Sequence, residues 1–131
     1  MEYPTASTPS PGQPMLPSAL ADLLAEGVGL VTLDPGALPS GLESAELGLL
    51  GSPEQMAGFY ETYEFGIYMP GAWPFALDGG GGFFALDLRA ITSSSTENAP
   101  VVWAHSGNLG WGEDEYVSVA ADFNQLLAAC R

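Results

Sequence analysis

Trp73-Pro74-Phe75-Ala76-Leu77-Asp78-Gly79-Gly80-Gly81-Gly82-Phe83-Phe84-Ala85-Leu86-Asp87-Leu88 holds two apolar runs on either side of an acidic residue and four consecutive glycines. Glycine adopts positive φ without a Cβ penalty, so the run supplies a tight turn and the flanks read as the two strands of a β-hairpin. Gly80 and Gly81 are expected at positive φ. Asp78 is expected to accept hydrogen bonds from turn amides, as Asp does in turns. Asp87 is expected to pair with Arg89 or with a loop amide. A phosphate-binding loop is excluded. That motif needs a Lys followed by Ser or Thr at a helix start, whereas Gly82 leads into Phe83-Phe84.

Downstream, Ala90 to Asn98 is a polar loop and Pro100 to His105 a strand. Val101 and Trp103 share one face of that strand, Val102 and Ala104 the other. Ser106 to Glu115 is a loop and Tyr116 to Ala120 a last strand. Asp122, with Gln125 three residues on, caps a final helix whose buried face is Phe123, Leu126, Leu127 and Cys130.

Upstream, Ser52-Pro53-Glu54-Gln55 starts a helix with an N-cap, a proline at the first helical position and a capping-box glutamine. Met56, Phe59, Tyr60 and Tyr63 then recur at helical spacing, a pattern that marks a core-facing stripe. Ser44 to Leu50 reads as a short strand. Val28 to Leu33 reads as another, ending at the turn Asp34-Pro35-Gly36. Ser18 is expected to cap a helix to Glu26, with Leu20, Leu23 and Leu24 on one face and Gly27 as the left-handed stop. Residues 1–15 carry Pro4, Pro9, Pro11 and Pro14 among small polar residues, and read as a disordered Pro/Ser-rich tail. Strands in a block with N-terminal, middle and C-terminal helices indicate a single α+β domain over residues 16–131, built on a mostly antiparallel sheet.

The chain has 131 residues, 16 of them acidic against two basic, for a net charge of −14. Nucleic-acid affinity depends on Lys and Arg displacing counterions, so DNA and RNA are excluded as partners, and anionic membranes on the same grounds. A cationic partner would be drawn in; the alternative is that the acidity serves solubility or a salt-rich habitat. The single cysteine, Cys130, allows no internal disulfide. With no signal peptide or membrane-length apolar run read in the sequence, the expected location is the cytoplasm.

The hairpin segment resembles the signature of the SUKH (SMI/KNR-like) superfamily: an apolar strand, an acidic residue, a glycine-rich turn, and an aromatic-rich strand ending in Asp-Leu. Ala99-Pro100-Val101-Val102-Trp103-Ala104-His105 is similar to the family's next strand. Val119-Ala120-Ala121-Asp122-Phe123-Asn124-Gln125-Leu126-Leu127 is similar to its closing strand and helix, and Leu16-Pro17 to its Leu-Pro helix start. The family's usual helix before that pair is replaced here by the Pro-rich tail. The resemblance implies an intracellular immunity protein that binds and neutralises a bacterial toxin. The family's toxins are often nucleases with basic grooves, which an acidic surface could fill. The second reading it allows is a regulatory or scaffolding domain in signalling.

The residues support no catalytic site. His105 is the only histidine. It could act as a general base with Asp78 or Asp87, but no nucleophile stands beside it. A lone His and a lone Cys in separate elements make no metal site, and no cofactor is expected. The candidate partner-binding residues are Glu113, Asp114 and Glu115, the densest local negative charge, with Trp111 beside them as an aromatic anchor. Asp78, Gly79, Gly80, Gly81, Gly82 and Asp87 are assigned to the turn. Deletion of residues 1–15 is expected to leave the melting temperature within about 3 °C in a thermal melt; a fall beyond ~10 °C would mean that the tail replaces the missing family helix.

Overall fold

Two six-residue strands, β3 (Ala72–Leu77) and β4 (Gly82–Asp87), flank the glycines in a computed structural model that describes residues 14–33, 46–91 and 95–128. Five of the six residues in each strand are buried, so both faces of the hairpin are covered. That explains why the sequence there is a continuous apolar run, without the in-out alternation of a half-exposed strand.

Around this hairpin the chain adds strands in sequence order. β1 (Leu30–Thr32), β2 (Glu46–Leu49), β3, β4, β5 (Val101–His105) and β6 (Val117–Ala120) form one six-stranded sheet in the order β1-β2-β3-β4-β5-β6. Every neighbouring pair is antiparallel. Pro74 has no N–H to give the ladder, and the β3–β4 register slips between Pro74 and Ala76. A bulge is where a strand tolerates proline. On the other edge of β3 the Phe75 carbonyl accepts from the Leu50 N–H at 3.0 Å, continuing the pairing with β2.

One sheet face carries Trp73, Phe75, Phe84, Leu86 and Val101, packed with Leu20 of α1 (Ser18–Ala25), Met56 of α2 (Pro53–Thr62) and Phe123 and Leu126 of α4 (Phe123–Ala128). The other carries Ala72, Phe83, Ala85, Val102 and Ala104, packed with Phe65 and Met69 around α3 (Phe65–Tyr68). The expected division of β5, with Val101 and Trp103 on one side and Val102 and Ala104 on the other, matches this. Of the residues expected on the buried face of α4, Phe123 and Leu126 are buried and Leu127 is half-buried. Cys130 lies outside the described residues, as do the turn Asp34-Pro35-Gly36 and residues 1–13 of the expected tail.

The caps differ from the expected ones in detail. The Ser52 hydroxyl accepts from the Gln55 N–H at 3.1 Å, but the Gln55 side chain reaches past Ser52 to the Gly51 N–H at 2.8 Å. α4 repeats this geometry: Asp122 accepts from the Gln125 N–H at 2.8 Å, and Gln125 accepts from the Ala121 N–H at 3.2 Å. Ser18 is not a cap. Pro17 occupies that position, and the Ser18 N–H donates to the Glu97 carboxylate at 2.6 Å, tying α1 to the loop before β5. The Thr96 hydroxyl of the same loop donates to the Met15 carbonyl. Gly27 stops α1 at φ +78° as expected. α3 was not expected at all. Tyr63 ends α2, and Glu64 turns the chain at φ +58° before Phe65.

In the hairpin turn Gly79 and Gly81 take positive φ, +83° and +97°, but Gly80 does not. A side chain at Gly80 would meet nothing nearer than 3.7 Å, one at Gly81 would stand 3.0 Å from the His105 imidazole, and one at Gly82 would lie 2.3 Å from the Trp103 indole nitrogen. The expected ranking in chemical denaturation follows. Gly80→Ala stays within about 0.5 kcal/mol of wild type, Gly81→Ala loses about 1–2 kcal/mol, and Gly82→Ala loses most. Equal losses at Gly80 and Gly81 would overturn this turn geometry.

Candidate functional site

The hairpin tip and the end of β5 form one polar knot. Asp78 is 7 % exposed. Its Oδ1 accepts from the N–H groups of Gly80 at 2.7 Å and Gly82 at 2.8 Å. Its Oδ2 accepts from the Trp103 indole N–H at 2.7 Å, across to β5. The Ser106 N–H then donates to the Gly81 carbonyl at 2.8 Å, continuing the β4–β5 pairing past His105. Burial pushes the Asp78 carboxyl up, but the Gly80 and Gly82 amides, the Trp103 indole and the nearby His105 pull it down further, and the net shift is below the ordinary value. His105 is exposed, and its Nδ1 accepts from the Gly107 N–H at 3.0 Å.

The loop from Ser106 to Glu115 is shaped by its own glycines. Glu115 Oε1 accepts from the Gly112 N–H at 2.8 Å, and a Cβ at Gly110 would lie 2.2 Å from that carboxylate. Glu115 is half-buried and holds the loop, while Glu113 and Asp114 are exposed. Trp111 is half-buried. Its indole N–H donates to the Pro70 carbonyl at 2.8 Å, the Arg89 guanidinium stacks 3.5 Å from its ring centroid, and Tyr116 meets it edge-on at 5.1 Å. Arg89 is fixed in turn by Asp87, which takes two of its side-chain N–H groups and its backbone N–H, all at 3.0 Å. Arg89 was not among the expected site residues. Its signal in the sequence was its rarity: it is one of only two basic residues in the chain.

Between β5, β6 and this loop opens a hollow of about 410 Å³, lined by Trp103, His105, Asn108 and Tyr116 together with all three of Glu113, Asp114 and Glu115. It offers carboxylates, an imidazole and aromatic faces to something bound. Among the described residues, no group of His, Cys, Asp and Glu is placed to hold a metal ion. Among the same residues, no helix is long and apolar enough to cross a membrane.

The model of the SMI1 / KNR4 family (SUKH-1) matches residues 16–129. No curated protein and no solved structure gives a significant match.

A depressed carboxyl pKa stabilises the fold above the unfolded value and loses that contribution as pH falls through the folded one. Asp78→Asn is therefore expected to cost about 2 kcal/mol at neutral pH, in line with the loss of hydrogen bonds to a charged acceptor. The gap to wild type should close as pH falls below the ordinary carboxylate range. Urea midpoints at pH 7 and pH 2.5 check this, and a gap unchanged with pH would exclude an ionised Asp78 as the knot.

Proposed function

The chain belongs to the SMI1 / KNR4 (SUKH-1) family, and from that membership we propose that it is an immunity protein that binds and neutralises a basic, nuclease-type bacterial toxin in the cytoplasm. The family consists in general of binding proteins, immunity proteins among them.

The observation that carries the reading is the distribution of charge. Sixteen acidic side chains stand against two basic ones, and Arg89 is already engaged by Asp87 and stacked on Trp111. Glu113 and Asp114 stand exposed in the wall of the hollow, which His105, Trp103 and Glu115 also line. A nuclease groove built to hold phosphates presents Lys and Arg, and this wall offers it carboxylates in their place. Glu115 and Trp111 serve the same surface in a different way. Glu115 fixes the loop backbone, and Trp111, gripped by Arg89, Pro70 and Tyr116, sets its height above the sheet. No catalytic role enters this reading: both Asp78 oxygens and the His105 Nδ1 are committed to backbone and indole N–H groups.

Long-range charge then governs encounter with the toxin. Association should slow steeply between 0.01 and 0.15 M salt, as the Debye length falls from ~30 Å to ~8 Å. Glu113→Lys with Asp114→Lys should slow association about tenfold at low salt and leave the melting temperature unchanged, since both side chains are exposed. Glu115 is left intact because its reversal would release the loop. Stopped-flow mixing with the toxin encoded beside this gene reads both effects. An association rate indifferent to salt and to the double reversal would refute the groove-filling mechanism.

A further inference from the structure

A second concave surface lies on the other side of the turn that follows β5. One part of it, about 290 Å³, is walled by Phe59 and Tyr63 of the α2 end, by the hairpin glycines and by Phe83. The next part, about 210 Å³, runs from Tyr63 past Tyr68 to Leu109. Tyr63 and Ser106 line both, so the two are continuous. Where Gly79 and Gly81 form the wall there is no side chain, and a bound segment can approach the backbone itself.

Tyr63 packs on Phe59 and edge-on against Phe83, and beyond it the surface stays apolar where the core does not require it. Tyr63 and Tyr68, which line the groove, are 37 % and 56 % exposed, and Ile67, beside Tyr68 in the chain, is 68 % exposed, while Phe65 and Met69, from the same short helical turn, are fully buried. The inward pair already anchors α3, so polar residues could stand at 67 and 68 at no cost to packing. Clustered exposed side chains of this kind mark interaction sites more often than lone ones do. Negative charge stands close to Tyr63 along the chain. Glu61 and Glu64 are exposed beside Tyr63, and α2 points its carboxyl end here with no basic residue in its last turn.

We propose that this groove docks a segment of the protein partner in which an apolar side chain stands next to an arginine or lysine. The apolar group fills the hollow beside Phe59 and Phe83. The cation sits over Tyr63 or Tyr68, held by Glu61 and Glu64. The chain already builds this arrangement within itself, where Arg89 lies on Trp111 and is held by Asp87. Charge selects the occupant: a second copy would bring another −14 to the contact, whereas a cationic segment neutralises it. The inference rests on the reading of the chain as a binder of a basic protein, and adds the surface that retains the partner after encounter.

The test is a nitrogen-15 amide-shift titration with short peptides of alternating leucine and arginine, serine and arginine, or leucine and glutamate. The leucine–arginine peptide should move the amides of Tyr63, Ile67, Gly81, Ser106 and Leu109. The other two should leave them in place. Ile67→Ser with Tyr68→Ser should weaken that peptide about tenfold, as loss of an interface anchor does. Glu64→Gly should weaken it as well without lowering stability, because glycine suits the +58° φ at that position. Three results would overturn the assignment: shifts confined to the loop around Glu113 and Asp114, equal shifts with the leucine–glutamate peptide, or concentration-dependent self-association that covers the groove. With the toxin in hand, dissociation as slow from the double variant as from wild type would sink the groove while leaving the immunity reading intact. Groove shifts with the peptide, but no salt-sensitive toxin binding by the wild type, would sink that reading and leave the groove.

Discussion

The Asp78 carboxylate is the constraint on which the rest of the structure depends. It closes the glycine turn through two amides and reaches the Trp103 indole on the next strand. Hydrogen bonds to an ionised acceptor are roughly twice as strong as neutral ones, and these three go far to satisfy a nearly buried charge. The tie fixes the relative position of β4 and β5 at the tip, where pairing would otherwise fray. Gly82 must lack a side chain for the indole to arrive, since a Cβ there would overlap both Trp103 and Asp78. A contrast comes from Trp73, whose buried indole N–H has no hydrogen-bond partner among the described residues. That tryptophan serves the core through its bulk against Tyr60, whereas Trp103 serves it through its donor.

Much of what is determined within four residues was legible in the sequence. The hairpin, the Ser52-Pro53-Gln55 start, the Asp122 start and the Gly27 stop all rest on local backbone chemistry, and each appears where its signal stands. The alternation of β5 was legible for the same reason. Part of what the sequence hid depends on residues far apart along the chain, and part on local detail that residue type does not show. Ser18 looks like a cap until Glu97, 79 residues on, takes its N–H. Gly80 looks like its neighbours until the turn distributes positive φ to Gly79 and Gly81. α3 escaped because four residues give no periodicity to read; Phe65 and Met69, four apart, were its only trace.

The candidate site was legible in composition and not in detail. Glu113, Asp114 and Glu115 read as one acidic patch, yet the glycines at 110 and 112 open a place for the Glu115 carboxylate inside the loop. Trp111 reads as an aromatic anchor for a partner; in the fold Arg89, held by Asp87, both more than 20 residues earlier, stacks on it. In a chain with so few cations, committing Arg89 to hold a loop has an electrostatic consequence. The carboxylates left on the surface face solvent with little internal neutralisation, and mutual repulsion among them is the standing cost of that charge. A cationic partner removes that repulsion on binding.

The acidic hollow and the apolar groove meet at one turn. Ser106 lines the groove, His105 lines the hollow, and Asn108 lines both the hollow and the far part of the groove. That turn is pinned from both ends, by Ser106 to the Gly81 carbonyl and by Asn108 to the His105 carbonyl. Its stiffness traces back to Asp78, which holds the hairpin tip to which Ser106 bonds. A partner that spans both surfaces would meet a rigid ridge between a region of charge and a region of aromatic contact. Charge acts at a distance and sets how fast the two proteins meet, whereas contact acts only after encounter and sets how long they stay. Division of the two tasks between neighbouring surfaces lets either be altered by substitution without disturbing the hairpin that supports both.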